Sequence, residues 1–307
     1  MLVTAWVLGT ALGTVAPARR ASASVLLQIE PTRAGYVPSL TGSKPIFILL
    51  LGSDARPGES ITGERSDSIH LLAINPAKHK ATIVGFPRDS WVAIPGHGTT
   101  KINSAMVYGG PSLAVQTVEQ LMGIHIDYWA LTWFDGFAAM IDRIGGLTVD
   151  VPFTMIDHYS HADFQPGVQQ LSGREALAFA RDRHSLPAGD LGRSENQGRL
   201  MLAALTQFRK EFTKDASRLF TWISAGMQNI RTGLSLDEIL KLAFTASTIN
   251  PKHVPNIVIP GSTGMAGTES IVNLDQSKLQ GIAADLKPDG ILKKGNIPPS
   301  PNAGLLG

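Results

Sequence analysis

The sequence predicts an α/β protein with a single main domain, and three observations predict it. Residues 46–51, IFILLL, form a continuous apolar run between Pro45 and Gly52, the pattern of a strand buried on both faces. Residues 69–74 and 81–86 are two more apolar runs joined by a polar connection, as in a hairpin. Farther on, strand, helix and strand patterns follow one another over residues 126–151, the alternation of α/β layering. No internal repeat interrupts this order.

The elements follow from the N-terminus. Residues 1–18, MLVTAWVLGTALGTVAPA, carry no charged side chain. That is slightly short of the ~20 apolar residues a spanning helix needs. Two readings stay open: a membrane anchor, or a secretory signal with Ala16-Pro17-Ala18 as its cleavage site. Either one puts the rest of the chain outside the cytoplasm. Residues 19–43 are rich in Ser, Pro, Gly and Thr and are expected to be a linker, with the main domain over 44–287. The first strand of that domain ends in Gly52-Ser53-Asp54, a turn that delivers a carboxylate where ligands collect in open α/β sheets.

Arg65-Ser66-Asp67-Ser68 leads into the second strand, and the return strand ends in Pro87-Arg88-Asp89. A hairpin sets the start of one strand beside the end of its partner, so Asp67 is expected next to Arg88 and Asp89. Lys101 follows in a Gly-rich stretch. The pattern predicts a helix over 112–122, with Ser112 as cap and Gly123 as stop. A strand over 126–132, a helix over 137–144 capped by Asp135 and a strand over 147–151 come next. Ser172 and Glu175 make a capping box that opens a further helix. After a loop over 185–192, a longer helix carries the apolar stripe Leu200, Ala203, Ala204 and Phe208.

Leu219, Phe220, Ile223, Met227 and Ile230 form another stripe, and Ser235 with Glu238 a second capping box. A short strand over 255–260 precedes a Pro/Gly-rich end, 288–307, expected to be a loose tail. Trp129 and Trp133, with Phe134 and Phe137 beyond, suit either an apolar groove or core packing, the commoner use.

Composition excludes several classes of function. The net charge is +2, with 17% charged and 43% hydrophobic residues, so nucleic acid is not an expected partner. The chain has no cysteine, which rules out disulfides, thiol catalysis and cysteine metal sites. It has no GxxxxGK[ST] or GxGxxG phosphate loop, no GxSxG elbow and no HExxH motif.

The functional signal lies in residues 174–199. Arg174, Arg181, Arg183, Arg193 and Arg199 occur there, and no lysine occurs between Lys101 and Lys210. Guanidinium is a flat, permanently charged fork that grips phosphate or carboxylate through paired hydrogen bonds. Arg181 and Arg183 are two apart and share a face in extended chain. Arg193 and Gln197 are four apart and share a helix face. Together with Asp54, Arg65, Asp67, Arg88, Asp89, Lys101 and Asp190, they suit a phosphate site with a hard divalent cation. Mg²⁺ takes oxygen ligands, usually one or two carboxylates with water and substrate phosphate. His184 adjoins Arg183, where a lone loop histidine is more often surface decoration.

The successive motifs LLLGSDAR, RSDSI, FPRDS, KINSA, IDRIGGLTVDV, LSGREALAFARDRH and DLGRSENQ resemble those of the LytR-CpsA-Psr family. The resemblance covers about residues 44–210, and residues 211–307 carry none of these motifs. Members are bacterial envelope proteins with an N-terminal membrane anchor and an extracytoplasmic α/β domain. The resemblance implies a three-layer α-β-α fold, a central mixed sheet between helix layers, with an apolar pocket for a lipid tail. It implies a phosphotransferase that moves a glycopolymer from a polyprenyl-pyrophosphate carrier onto a peptidoglycan hydroxyl, at the outer face of the cytoplasmic membrane. Asp54 and Asp67 match its metal-binding acids, for Mg²⁺ or Mn²⁺. Arg65, Arg88, Arg181, Arg183 and Arg193 match its pyrophosphate-holding arginines. Lys101, Asp190 and Gln197 match polar residues around them, and Asp89 its PRD motif. Arg65, Arg88, Asp89 and Asp190 are the expected catalytic set. The N-terminal segment departs from the family's anchor in lacking a cytoplasmic basic stretch. A hydrolase acting on the same substrate and a non-enzymatic carrier-binding protein are the alternatives.

Overall fold

The computed structural model describes residues 27–31, 44–56, 58–227, 230–232 and 236–305. The apolar stretch 1–18 and Ser235, with its capping box, lie outside them. In chain order the elements are β1 (Leu27–Pro31), β2 (Ile46–Ser53), β3 (Ser66–Asn75), β4 (Lys80–Gly85), β5 (Trp91–Ile94), β6 (Gly98–Lys101), α1 (Ser104–Met122), β7 (Tyr128–Trp133), α2 (Phe134–Arg143), β8 (Leu147–Val151), β9 (Met155–Asp157), β10 (Ala162–Phe164), β11 (Gly167–Leu171), α3 (Gly173–Arg181), α4 (Asp190–Lys214), α5 (Arg218–Met227), β12 (Ile230–Thr232), α6 (Leu236–Thr248), β13 (Asn256–Val258), β14 (Gly261–Ala266), β15 (Glu269–Leu274) and α7 (Gln276–Asp289).

The main sheet runs β12-β1-β7-β2-β3-β4-β13. It is mixed: β2 is parallel to β7 but antiparallel to β3, and β13 is parallel to β4. The continuous apolar run of β2 explains its central place. Phe47, Leu49 and Leu51 pack with residues of α1 and α7 on one face, and Ile46 and Ile48 with residues of α4 and α6 on the other. Strand alternation sends successive side chains to opposite faces, so a strand apolar at every position needs a helix layer on each side. The result is the three-layer α-β-α arrangement.

Four local expectations are corrected. Within the stretch expected to be linker, Leu27–Pro31 forms β1, antiparallel to β7 and parallel to β12; a short alternating segment was hidden by its Ser- and Pro-rich surroundings. The helix expected from Ser112 starts at Ser104 instead and breaks at Gly109 and Gly110. Gly110 has φ +62, a conformation glycine adopts without a Cβ penalty, and Pro111 then restarts the helix. Asp135 sits inside the first turn of α2, where a carboxylate favours the helix dipole, and Trp133 is the cap. The expected loose tail is packed: Asn302 is buried and donates to the Gly192 carbonyl at 3.1 Å and to Glu195 Oε2 at 2.9 Å. Its Pro and Gly content concealed the polar side chains that tie it down. The capping box at Ser172 and the stop at Gly123 form as expected. Among the described residues no helix is long and apolar enough to cross a membrane.

Candidate active site

The β3–β4 register pairs His70 with Gly85. Carried three residues outward, it sets Asp67 across from Arg88, and the Arg88 Nη1 donates to Asp67 Oδ1. Arg88 also meets the start of α4. Its backbone N–H donates to Asp190 Oδ2 at 3.0 Å, and its Nε lies 3.5 Å from Asp190 Oδ1. One turn into α4, Arg193 brings Nη2 to 2.6 Å from Asp190 Oδ1 and Nη1 to 3.8 Å from Asp67 Oδ2. Two arginines and two carboxylates therefore interlock. On the next turn Gln197 Nε2 donates to the carbonyls of Asp67 at 3.2 Å and Ala180 at 3.1 Å. The shared face of Arg193 and Gln197 is thus turned toward Asp67.

Burial opposes the charge on Arg88, but Asp67, Asp190 and Asp89 outweigh it and leave its pKa raised. For Arg193 burial wins: its pKa is lowered despite Asp190 and Asp67, with Arg88 and Arg183 repelling it. A guanidinium remains charged in either case. Burial, then the negative charges of Asp67 and Glu64, raise the pKa of Asp54. Asp54 Oδ1 is buried without a hydrogen-bond partner among the described residues. An acid beside an acid, with an orphaned oxygen, suits an oxygen-binding divalent cation. Among the described residues no cluster of three or more His, Cys, Asp or Glu gathers to hold a metal, so a cation here would take two protein carboxylates at most.

The other expected residues lie around this cluster. Lys101 Nζ is 3.4 Å from Asp89 Oδ1 and 3.3 Å from Glu269 Oε2. Arg65 is exposed, and its carbonyl accepts from the Asp54 N–H at 3.0 Å. The guanidinium carbon of Arg181 stands 4.7 Å over the Phe134 ring, a cation–π contact.

Two cavities flank the cluster. One, of ≈ 380 Å³, is lined mainly by apolar side chains such as Phe137, Ile141, Leu200 and Trp222, with Asp67, Arg181 and Gln197 among its few polar residues. The other, of ≈ 780 Å³, is lined by Asp89, Arg183, His184 and Asp190. Arg181 and Arg183 therefore line different cavities, not one shared face. Trp133, Phe134 and Phe137 line the apolar cavity, while Trp129 faces the opposite core with α1.

A sequence model of the LytR_cpsA_psr family matches residues 19–288. The chain belongs to the LytR_cpsA_psr family. A relative from Bacillus mycoides, the "Polyisoprenyl-teichoic acid--peptidoglycan teichoic acid transferase TagU", is 33% identical over 206 residues, 66% of this chain and 65% of that protein. The match thus spans a little under two thirds of that relative's length. The crystal structure of TagV from B. subtilis superposes with a TM-score of 0.67 at 30% identity, covering 80% of this chain and 96% of that one. The LytR-CPS2A-psr family protein YwtF (TagT), with bound octaprenyl pyrophosphate lipid, gives a TM-score of 0.61 at 25% identity, covering 87% and 95%.

Sequence reasoning missed the residues that seat α4 in this LytR_cpsA_psr domain. His70 is fully buried, with Nε2 3.0 Å from the Ser194 carbonyl and Nδ1 3.1 Å from Ser68 Oγ. A carbonyl only accepts, so Nε2 carries the proton and Nδ1 accepts from Ser68. Burial lowers the His70 pKa to about 4, so the ring is neutral near pH 7. Asn256 Nδ2 donates to the Glu195 carbonyl at 2.9 Å. The available signal was one histidine within the apolar run 69–74 of β3, and a glycine ending the next strand. A Cβ on Gly85 would stand 2.4 Å from Ser194 Oγ and 3.1 Å from His70 Nε2. Gly85→Ala is therefore expected to turn the unbonded Ser194 Oγ aside and crowd the His70 ring, to strain its bond to the Ser194 carbonyl, and to cost about 1–3 kcal/mol. Denaturant midpoints of variant and parent check it.

Proposed function

We propose that this chain is a phosphotransferase that moves a glycopolymer from a polyprenyl-pyrophosphate carrier onto a peptidoglycan hydroxyl. The observation that carries the reading is the interlocked Arg88–Asp67–Arg193–Asp190 cluster between an apolar and a polar cavity. A substrate with a lipid on one side of a diphosphate and a sugar on the other needs that layout. The names of its relatives, teichoic acid transferases acting on peptidoglycan, support the same reaction. The site of action is the cell envelope, with residues 1–18 as the membrane attachment.

The apolar cavity takes the polyprenyl tail, and Arg181, Arg88 and Arg193 hold the diphosphate, with Arg183 reaching it from the polar cavity. Arg193 Nε is buried without a hydrogen-bond acceptor among the described residues, which leaves it a donor for an anion. The acceptor hydroxyl attacks the sugar-proximal phosphorus from the polar cavity. A new O–P bond forms, the bridging P–O bond breaks, and polyprenyl phosphate leaves with the bridging oxygen. Asp190 pairs with two arginines, Arg193 at 2.6 Å, while Asp89, at the wall of the polar cavity, has Lys101 farther off at 3.4 Å, and Asp89 takes the hydroxyl proton. Asp54 and Asp67 would hold Mg²⁺, or Mn²⁺ in its place, and such an ion offsets charge on phosphoryl oxygens. Positioning and electrostatics supply the rate, without a covalent enzyme intermediate.

The test is incubation of the protein with a lipid-pyrophosphate-linked sugar and peptidoglycan oligomers, with and without Mg²⁺, read by mass spectrometry. A phosphodiester-linked adduct is expected. Release of lipid phosphate without an adduct would make the protein a hydrolase, and binding without turnover a carrier-binding protein. The metal assignment has its own readout. Mg²⁺ at a hundredfold excess over its Kd stabilises a native site by about 2.7 kcal/mol, and Asp54→Asn is expected to abolish that rise in melting temperature. An equal rise in the variant would remove Asp54 from the metal site.

A further inference from the structure

His184 is held by a buried carboxylate yet open to solvent. Its Nδ1 lies 3.1 Å from Asp157 Oδ1 and 3.0 Å from Oδ2. Asp157 is buried, and it also accepts from the Tyr159 N–H at 2.9 Å. Burial opposes its charge, but hydrogen bonds from His184, Tyr159 and Ser160 outweigh it and hold the carboxyl well below its usual range. An ionised carboxylate only accepts, so Nδ1 carries the proton. Nε2 has no hydrogen-bond partner among the described residues, and in the neutral ring it presents a lone pair.

The same carboxylate anchors an exposed ring. His158, Tyr159, Ser160 and His161 join β9 to β10. The Tyr159 ring packs on the His184 ring with centroids 4.7 Å apart, yet Tyr159 stays 74% exposed. The turn that carries it is tied internally, with the Ala162 N–H donating to Ser160 Oγ at 3.3 Å. A tyrosine that only packed would bury its ring. One fixed in place and left open offers rigid, amphipathic contact area at low entropic cost.

The position and the charge of this pair narrow its ligand. His184 is a wall of the polar cavity, with Asp89, Arg183 and Asp190, so the pair continues the cavity from which the acceptor hydroxyl attacks. Residues 152–164 contain no lysine or arginine, so the hairpin offers no fixed positive charge to an anion. Among the described residues no cluster of three or more His, Cys, Asp or Glu gathers to hold a metal. A neutral ring bearing hydroxyls fits: its C–H face lies on the tyrosine, and one hydroxyl donates to Nε2.

We infer that Tyr159 and His184 form a saccharide subsite that holds a sugar ring of the acceptor glycan beside the polar cavity. Its use as an acceptor subsite rests on the phosphotransferase reading; the binding of a saccharide there does not.

The test needs no lipid carrier and no turnover. The full chain is titrated with the tetrasaccharide of N-acetylglucosamine, and binding is read by calorimetry beside a thermal melt. Tyr159→Ala is expected to weaken binding about tenfold at an unchanged melting temperature. His184→Asn separates a ligand from a clamp. Its amide nitrogen replaces Nδ1 and keeps the bond to Asp157, but no atom stands at Nε2, so a loss of about tenfold is expected again. Parent-like binding in that variant would reduce His184 to a clamp on its loop and overturn the inference. Tyr108→Ala is the control: Tyr108 is an exposed ring stacked on His97 at 4.6 Å, lines neither cavity, and should bind as the parent does. No binding by the parent, or equal binding by Tyr159→Ala and the parent, would also overturn the subsite. A parent that binds the saccharide through these two residues but forms no adduct with a lipid-linked donor would leave the subsite standing and remove the phosphotransferase reading alone.

Discussion

Arg193→Ala is expected to abolish transfer and to cost about 3–5 kcal/mol of stability, the range for breaking a buried ion pair from one side. Arg193 is only 4% exposed and stands between Asp190 at 2.6 Å and Asp67 at 3.8 Å. Without it, two carboxylates in a desolvated site share Arg88 alone. Arg193→Lys keeps the charge but loses the planar fork that reaches both acids, so it should recover part of the stability and little of the transfer.

Arg181→Ala is the contrasting case. Arg181 is half-buried at the wall of the apolar cavity, over Phe134, a contact worth roughly 0.5–1 kcal/mol at exposed sites. Its loss should leave stability within about 1 kcal/mol of the parent while transfer is abolished. Arg183→Ala should behave alike from the polar side. Denaturant melts beside the adduct assay separate the two classes, and wild-type transfer in either variant would remove that arginine from the diphosphate site.

What could be read from the sequence was whatever depends on local periodicity. An apolar run between Pro45 and Gly52 means a strand covered on both faces, and β2 is one. Hairpin geometry alone brings Asp67 to Arg88, and helical spacing alone turns Arg193 and Gln197 to one side. The reading of Arg181 and Arg183 failed because α3 ends at Arg181. Asp182 then turns extended, at ψ 130, and is buried, with the Ser185 N–H donating to it at 3.3 Å. The chain changes direction between the two arginines, which spacing does not reveal. The apolar cavity was equally hidden. Its wall is assembled from β2, β3, β7, β8, α2, α3, α4 and α5, and only the aromatic run from Trp133 to Phe137 hinted at it. The seating of α4 by His70, Asn256 and Asn302 depends on contacts spanning 61 to 124 positions of sequence, beyond any local pattern.

Filling the apolar cavity should have an effect as large as removing an arginine, and a more selective one. Ala204 lines the cavity one turn beyond Leu200 on α4, well along the helix from Asp190. An indole in its place occupies space that the proposed lipid tail needs. Each methylene kept out of an apolar environment forfeits about 0.8 kcal/mol. Excluding even four carbons costs about 3 kcal/mol, more than a hundredfold in affinity. Ala204→Trp is therefore expected to raise the KM for a long polyprenyl carrier by two orders of magnitude or more. The new ring fills open space, so stability should change by less than the ~1–3 kcal/mol typical of overpacking a filled core. With a carrier whose tail is only a few carbons long, the ionic cluster is intact and the tail no longer reaches the indole, so KM should stay near the parent value. The ratio of the two KM values is the measurement. An equal loss with both carriers would mean that the substitution had disturbed Asp190 and Arg193, or that the tail binds elsewhere. A loss confined to the long carrier would place the tail beside Ala204 and the diphosphate at the polar end of the cavity, within reach of Arg181.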